Sequence, residues 1–148
     1  MRVYLDLCCL NRPFDDQTHD RVNLEARAVL LILERISAGG HQLCNSAALV
    51  AENNQNPNND RRTKIDEILK SAQVQIMFEE GLDSRIDELR ALGFREFDAY
   101  HVALAEAGQC HRLVTCDDQF LRIARRNKDK IKVTVVDPIS LISEANFS

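Results

Sequence analysis

The sequence contains no tryptophan, only two tyrosines and no long apolar run. Its longest stretch without Asp, Glu, Lys or Arg covers residues 36–51 and is interrupted by two glycines and a histidine. This stretch falls far short of the roughly 20 apolar residues that a membrane span requires. The N-terminus reaches Asp6 before an apolar segment can form, which argues against a secretory signal. These absences predict a cytoplasmic protein that does not cross a membrane.

Paired cysteine motifs are absent as well. The five cysteines are an odd number and include no Cys-x-x-Cys pair, which argues against a zinc knuckle or a dithiol redox site. The nearest candidate, Cys110 and His111 with Cys116, is a poor ligand set for zinc. All the cysteines are therefore interpreted as reduced, small apolar residues: Cys8, Cys9, Cys44, Cys110 and Cys116.

The chain also lacks an excess of basic residues. Nineteen Lys and Arg stand against 23 Asp and Glu, which gives a net charge of -4 and argues against a wholly cationic binder of nucleic acid. The length of 148 residues, with 45% hydrophobic and 28% charged residues, is typical of one globular domain, here residues 1–148. Such a domain buries about 70% of its extended surface without a metal or disulfide. A metal ion would therefore have to serve the chemistry of the protein rather than its folding.

Short apolar runs alternate with helical periodicity along the chain. The predicted strands are Val3–Leu7, Gln42–Cys44, Val74–Phe78, Leu113–Val114 and Lys132–Val136. Two loops are predicted, at Arg12–Asp20 and at the Asn-rich segment Asn53–Asn59. Helices are predicted around Leu24–Arg35, after Ser46, and over Arg61–Ser71, Leu82–Leu92, Phe97–Ala107, Phe120–Arg126 and Pro138–Ser143. This alternation predicts an α/β fold with a parallel sheet covered on both faces.

Acidic residues fall where the predicted strands end, which is where open α/β sheets bind ligands. Asp6 ends the first strand, Asp117 follows the fourth, and Glu52 lies in the helix after the second. Asp98 stands in the first turn of the helix that we expect to be buried, on its core-facing side.

Each acid taken singly also has a structural interpretation. Asp6 and Asp117 could begin turns, and Asp98 could complement a helix dipole. Glu52 lies near the carboxyl end of its helix, where the dipole opposes a negative charge, so solvent exposure would be its structural explanation. Converging carboxylates repel by about 4 kcal/mol per pair at 4 Å in an effective dielectric near 20, so a cluster of four calls for a counter-ion. Oxygen ligands without His or Cys select Mg²⁺ or Mn²⁺.

Four short motifs share one order along the chain: Asp6 after the first strand, Ser46-x-x-Leu-x-x-Glu52, Asp98-Ala-x-x-Val-Ala-x-Ala and Thr115-x-Asp117-x-x-Phe120. This order resembles the PIN domain family, in particular the VapC-like toxins of bacterial toxin-antitoxin pairs. The resemblance covers nearly the whole chain. It implies a three-layer α/β/α sandwich around a parallel sheet and a ribonuclease that depends on Mg²⁺ or Mn²⁺.

The resemblance also implies roles for individual residues. The catalytic quartet would be Asp6, Glu52, Asp98 and Asp117, of which Asp6, Asp98 and Asp117 would hold the metal. Thr115 and Asp118 would support the site, while Leu7 stands where such proteins often have Thr or Ser. An RNA substrate, an antitoxin protein as partner and a homodimer are implied as well.

Basic residues near these motifs could steer an RNA backbone toward the acids. Residues 112–132 hold seven bases and three acids, a local charge of +4. The candidate RNA-binding residues are Arg12, Arg61, Arg62, Arg122, Arg125 and Arg126. A solvated helix face explains such a charge run equally well.

The sequence fits two other enzyme and signalling classes less well. A phosphatase of the haloacid dehalogenase type would have a second Asp two residues after the first, where Cys8 stands. A receiver domain would need its acceptor Asp after a mid-chain strand. A catalytically silent PIN-like interaction module stays open, because a fold does not establish an activity. His101, one turn from Phe97, is interpreted as a satisfied core histidine.

Overall fold

The computed structural model describes every residue, Met1–Ser148, and contains one sheet of five parallel strands. The strands are β1 (Arg2–Leu5), β2 (Gln42–Ser46), β3 (Val74–Ile76), β4 (Arg112–Val114) and β5 (Thr134–Val136). Their order across the sheet is β3-β2-β1-β4-β5, which makes β1 the central strand. The α/β fold with a parallel sheet is therefore confirmed.

Eight helices connect and flank the strands. They are α1 (Leu7–Asn11), α2 (Asp20–Ser37), α3 (Ala47–Asn54), α4 (Asn59–Lys70), α5 (Leu82–Ala91), α6 (Glu96–Ala107), α7 (Asp118–Arg126) and α8 (Pro138–Ile142). Short 3₁₀ turns follow at Arg12–Phe14 and Ala145–Phe147. No helix combines the length and the apolar character that a bilayer span needs.

The first predicted strand is too long by two residues. Strand β1 ends at Leu5 because Asp6 turns the chain directly into α1, where its carboxylate accepts a 2.8 Å hydrogen bond from the Leu7 N–H. The sequence did not predict α1, since a helix of five residues is too short to show a hydrophobic period. This helix fixes the residues that follow Asp6 against the edge of the sheet.

Several other boundaries also move. The Asn-rich loop is shorter than predicted, because α3 continues to Asn54 and the Asn58 side chain caps α4 by accepting from the Arg61 N–H. Strand β3 ends at Ile76 rather than Phe78, and β5 begins at Thr134 rather than Lys132. Ile76 pairs with Ser46 at the end of β2, and Thr134 pairs with Arg112 at the start of β4. Residues beyond these pairs have no neighbouring strand, so the apolar pattern alone predicts strands that are too long.

The central strand and α6 form the interior of the protein. Val3, Tyr4 and Leu5 of β1 are fully buried, and so are Val102 and Leu104 of α6. They belong to one continuous core of buried apolar residues. A parallel sheet that is covered on both faces explains why these strands are apolar throughout rather than alternating.

The strand order reverses direction next to β1. The chain moves from β1 to β2 and β3 on one side, then returns to β4 and β5 on the other. Ligands of open α/β sheets bind beyond the carboxyl ends of the strands at such a reversal. In this protein that position lies beyond Leu5 and Val114, which are paired in register.

Candidate active site

A pocket of about 480 Å³ opens at the carboxyl ends of β1 and β4. Its lining includes all four acids that the sequence analysis selected: Asp6, Glu52, Asp98 and Asp117. We call this cavity the acidic pocket. Asp6 follows β1, and its N–H bonds the Val114 carbonyl of β4 at 2.9 Å. The two strands thus bring residues about 110 positions apart to one edge of the sheet.

Asp6 is the most buried of the four acids, with 5% of its surface exposed. The Thr115 hydroxyl donates to its Oδ2 at 2.9 Å, while the Leu7 N–H donates to its Oδ1. Burial raises the pKa of Asp6 well above its ordinary value, and the neighbouring Cys8 and Glu52 add to the shift. The carboxylate is therefore held rigidly in a position where its negative charge is poorly solvated.

Glu52 is positioned by a hydrogen-bonded chain of buried side chains. The Ser46 hydroxyl caps α3, the helix that carries Glu52, by accepting from the Leu49 N–H at 3.2 Å. The Tyr4 hydroxyl lies 2.6 Å from both Ser46 Oγ and His101 Nδ1. The opposite ring nitrogen, His101 Nε2, is 3.1 Å from Glu52 Oε1. These hydrogen bonds run from Ser46, the N-cap of α3, back to Glu52 on the same helix. They therefore fix the direction of the Glu52 side chain.

His101 is thus more than a core histidine. It is fully buried and satisfied, as expected, but its partners belong to the acidic pocket, because Nε2 also lies 3.5 Å from Asp6 Oδ1. Burial lowers its pKa, yet the bond to Glu52 and the charges of Asp6 and Asp98 outweigh burial and raise the pKa above its ordinary value. The signal that would have found it is its position three residues after Asp98 on one helix face.

Arg95 joins the other two acids and was not selected from the sequence. Its Nε donates to Asp98 Oδ2 at 3.2 Å, and its Nη2 donates to Asp117 Oδ2. Arg95 immediately precedes α6 and stands three residues before Asp98, a spacing that brings the two side chains together. Arg95 and His101 therefore lie among the four acids. They supply part of the positive charge that was expected from a metal ion alone.

The acids paired with Arg95 differ in ionisation. Burial, followed by the charge of Asp6, raises the pKa of Asp98 from 3.8 to about 6. Partial burial acts in the same direction on Asp117, but the Phe120 N–H and Arg95 outweigh it and lower its pKa. Asp117 caps α7 through Oδ1, which accepts from the N–H groups of Gln119 and Phe120.

Asp118 does not face the acidic pocket, contrary to the supporting role expected from the sequence. Its carboxylate forms a two-point ion pair with Arg21, at 2.7 and 2.9 Å. Asp118 lines a second cavity of about 460 Å³, which we call the arginine pocket; its polar lining comprises Arg21, Glu25, Asp118, Arg122, Arg125 and Asp137. Neighbouring residues on α7 point in different directions, because successive helical positions differ by about 100°.

The six arginines proposed for RNA binding fall into two groups. Arg12 and Arg61 both form ion pairs with Asp15, and the Arg62 guanidinium bonds the Asn56 carbonyl and the Asn59 side chain. Arg61 thus joins α4 to the segment after α1, while these bonds of Arg12 and Arg62 stay within their own segments. The arginines that are exposed and have no ion pair are those of α7: Arg122, Arg125 and Arg126.

The donor set of the acidic pocket fits a hard divalent cation. Asp6, Glu52 and His101 place one ligand atom each within 4.8 Å of one another. His101 already bonds Glu52 and Tyr4 through its two nitrogens, so the free donors are carboxylate oxygens, which Mg²⁺ and Mn²⁺ prefer. The pKa values of Asp6 and Asp98 are raised first by burial and then by neighbouring negative charge, and a bound cation would offset both effects.

Comparison with known proteins identifies the family. The sequence profile of the PIN domain matches residues 3–126, most of the chain, and the protein belongs to the PIN domain family. PIN domains are generally nucleases. No curated protein sequence matches the chain.

Two solved structures share the fold. The crystal structure of FitAcB from Neisseria gonorrhoeae is 22% identical, with a TM-score of 0.55, and the match covers 94% of this chain and 99% of that chain. The crystal structure of VapBC2 from Rickettsia felis bound to a DNA fragment from their promoter is 17% identical, with a TM-score of 0.57, and the match covers 93% and 98%. Both similarities support the α/β/α architecture.

Proposed function

We propose that the protein is an endoribonuclease that requires Mg²⁺ or Mn²⁺ and acts as the toxin of a toxin-antitoxin pair. The observation that carries this proposal is the convergence of four carboxylates in one pocket of a PIN domain. The catalytic residues would be Asp6, Glu52, Asp98 and Asp117. Three of them, Asp6, Asp98 and Asp117, would hold the metal.

A divalent cation in this pocket would balance charge on a phosphodiester and lower the pKa of a bound water. The protein's own contribution is to hold the oxygen ligands in place before the cation arrives. Thr115 and the Leu7 N–H fix the two oxygens of Asp6, and the N–H groups that begin α7 fix one oxygen of Asp117. Such a prearranged ligand set supports binding without rearrangement of the backbone.

Glu52 supplies the proton-transfer group of the proposal. Its Oε1 accepts from His101, while the carboxylate is about one quarter exposed and borders the pocket. A water in the pocket can therefore give its proton to Glu52, and the ring of His101 stabilises the carboxylate in the orientation needed. His101 is a positioning residue in this scheme.

Binding of RNA would involve the exposed face of α7. This helix begins next to Asp117 and carries the unpaired arginines Arg122, Arg125 and Arg126. Their charge would attract the phosphate backbone toward the pocket. An RNA substrate and five free cysteines support a cytoplasmic location.

The partner and the oligomeric state are proposed from the family likeness. The neighbour VapBC2 is described as bound to promoter DNA, and FitAcB is a further neighbour. Large apolar side chains on this protein are exposed at Leu24 and Leu30 of α2 and at Met77 and Phe78 after β3. These surfaces support a homodimer and an antitoxin protein as partner. Light scattering at high concentration checks the dimer.

A second candidate is a PIN-like interaction module without catalysis. The observation that favours it is the pairing of Arg95 with Asp98 and Asp117, which reduces the need for a cation. Metal binding distinguishes the two functions, because a silent module has no reason to bind Mg²⁺ in this pocket.

The deciding experiment follows cleavage of total RNA by purified protein with Mg²⁺, with Mn²⁺ and with EDTA. We expect cleavage with either metal, none with EDTA, and recovery when metal is restored. Asp6→Asn should be inactive while folded, because an amide still caps α1 and accepts a hydrogen bond. The matched control is Asp137→Asn in the arginine pocket, where an Asn also caps a helix. Cleavage that persists in EDTA, or in Asp6→Asn, contradicts the proposal.

A further inference from the structure

Every cysteine of this protein touches another cysteine. Cys44 and Cys110 place their sulfurs 3.2 Å apart under the sheet, and Cys9 and Cys116 place theirs 3.6 Å apart. Cys8 joins the second group, in which all three sulfurs lie within 4.8 Å of one another. We call Cys8, Cys9 and Cys116 the thiol cluster. The cysteines are free and mostly buried, as the sequence predicted, but their grouping was not predicted.

The thiol cluster is assembled by the same strand pair that forms the acidic pocket. Cys8 and Cys9 lie on α1, directly after β1, while Cys116 follows β4. Because β1 and β4 are parallel neighbours, the segments that leave them meet at the same sheet edge. The cluster therefore has a fixed geometry although its members are more than 100 positions apart in sequence.

We propose that the thiol cluster binds a thiophilic metal ion, Zn²⁺, through sulfur ligands at the edge of the acidic pocket. Zinc bound to thiolates at about 2.3 Å in a tetrahedron places two sulfurs about 3.8 Å apart. The observed 3.6 Å between Cys9 and Cys116 matches this separation, and Cys8 must move by about 1 Å or less to reach it. Binding releases one proton from each thiol to solvent.

Polar groups around the sulfurs favour this site over a purely apolar contact. The Cys116 N–H donates to Cys8 Sγ at 3.3 Å. A hydrogen bond of this kind stabilises a thiolate ligand in a metal site. The Arg21 guanidinium, which pairs with Asp118, also bonds the Cys116 carbonyl at 3.2 Å and fixes the segment that carries Cys116.

A metal ion can reach the cluster from solvent. Cys8 is only partly buried and lines the acidic pocket, whereas Cys9 and Cys116 lie behind it. Asp6 Oδ2 lies 3.3 Å from Cys8 Sγ, so the thiol cluster adjoins the acidic pocket. This inference concerns sulfur ligands and does not depend on nuclease activity.

The test is titration of the reduced protein with Co²⁺ as a spectroscopic probe of the zinc site. Sulfur-to-cobalt charge transfer reports thiolate ligands alone, so binding at the carboxylates is silent. We expect a near-ultraviolet band that saturates at one equivalent and disappears when one equivalent of Zn²⁺ is added, while excess Mg²⁺ leaves it unchanged. In Cys8→Ser and Cys116→Ser the band should fall by at least about one third.

Cys44→Ser provides the matched control, because Cys44 is a buried cysteine that contacts only one other thiol. Its band should equal that of the unmodified protein. Thermal melting of each variant checks the fold, and Cys8→Ser is the milder substitution because Cys8 is partly exposed. The proposal is overturned by the absence of a band when five thiols are titratable, or by a band that Cys44→Ser removes and Cys8→Ser does not.

Discussion

The acidic pocket and the arginine pocket are nearly equal in volume and both contain carboxylates and arginine, yet their charge balance differs. In the arginine pocket Asp118 and Glu25 each have an arginine partner. Arg21 binds Asp118 at two points and lies 3.4 Å from Glu25, and Arg12 binds Glu25 at 3.1 Å. The hydrogen bond from Arg21 lowers the pKa of Asp118 and so stabilises its ionised carboxylate.

In the acidic pocket the acids outnumber the cations. Four carboxylates share Arg95 and His101, and the pKa values of Asp6 and Asp98 are raised because burial and like charges disfavour ionisation. Asp117 and Asp118 are adjacent in sequence but belong to different pockets. Uncompensated negative charge, rather than the presence of acids alone, distinguishes the acidic pocket as the candidate metal site.

The largest expected difference between the pockets is in catalysis. Asp6→Asn should reduce metal-dependent RNA cleavage at least about 100-fold, because it removes a ligand in the buried half of the site. Asp118→Asn, in the arginine pocket, should change cleavage by less than about threefold. Initial rates on one labelled RNA check both. Equal losses in the two variants would remove the distinction between the pockets.

The next effect is metal-induced stability. Mg²⁺ at 100 times its dissociation constant should raise the free energy of unfolding by about 2.7 kcal/mol and the Tm by about 5 to 10 °C, because the unfolded chain does not gather the carboxylates. Thermal melts with and without Mg²⁺ measure this. The shift should vanish in Asp98→Asn and persist in Asp137→Asn. A shift that survives in Asp98→Asn places the ion elsewhere.

A substitution in the arginine pocket should change the free energy of unfolding without changing metal binding. Glu25 is 3% exposed and accepts from Arg12, so Glu25→Gln should lower the free energy of unfolding by about 1 to 3 kcal/mol. Urea denaturation measures the loss. The Mg²⁺-induced increase in Tm should stay as in the unmodified protein, and its disappearance would mean that the two pockets are coupled.

A smaller effect concerns pH in the absence of metal. The pKa of Asp98 is about 6 in the folded protein and near 3.8 in the unfolded chain, so the folded state binds the proton more tightly. Stability attributable to Asp98 is therefore fully present below about pH 4 and declines as pH rises to about 6. Urea denaturation across this range should show the decline in the unmodified protein and a flatter profile in Asp98→Asn. Parallel profiles would show that Asp98 is solvated.

The smallest effect concerns Arg95. Its half-exposed ion pairs with Asp98 and Asp117 compete with a cation, so Arg95→Gln should raise the affinity for Mg²⁺ by about two- to fivefold. Calorimetric titration measures this affinity. Arg27→Gln is the control and should leave the affinity unchanged, because Arg27 is an exposed arginine on α2 that does not line the acidic pocket. A weaker affinity in Arg95→Gln would mean that the guanidinium orders the ligands rather than competing with the ion.

The architecture and the grouping of the four acids could be predicted from the sequence, because both depend on local patterns. Strand periodicity and the rule that ligands bind beyond strand ends suffice for Asp6 and Asp117. Their cationic partners were not predicted. Arg95 and His101 lie three residues on either side of Asp98, which is a local signal, but their contacts with Asp117 and Glu52 span 22 and 49 residues and depend on how the helices pack.

The same limit explains why the pairing of Asp118 and the grouping of the cysteines were not predicted. Asp118 follows the motif Thr115-x-Asp117, but its carboxylate pairs with Arg21, 97 residues away. Cys9 and Cys116 meet only because β1 and β4 are neighbours in the sheet. Residues of these types take their roles from tertiary neighbours rather than from their own segment.

The pairing of β1 with β4 also has a kinetic consequence. These strands are separated by more than 100 residues, and the loop that must close between them costs entropy before any of their contacts forms. Pairings of such high contact order slow folding. Asp6, Thr115 and Asp117 come together only when β1 and β4 pair. A chain in which these strands have not paired has no site, so the proposed toxic activity would require this pairing.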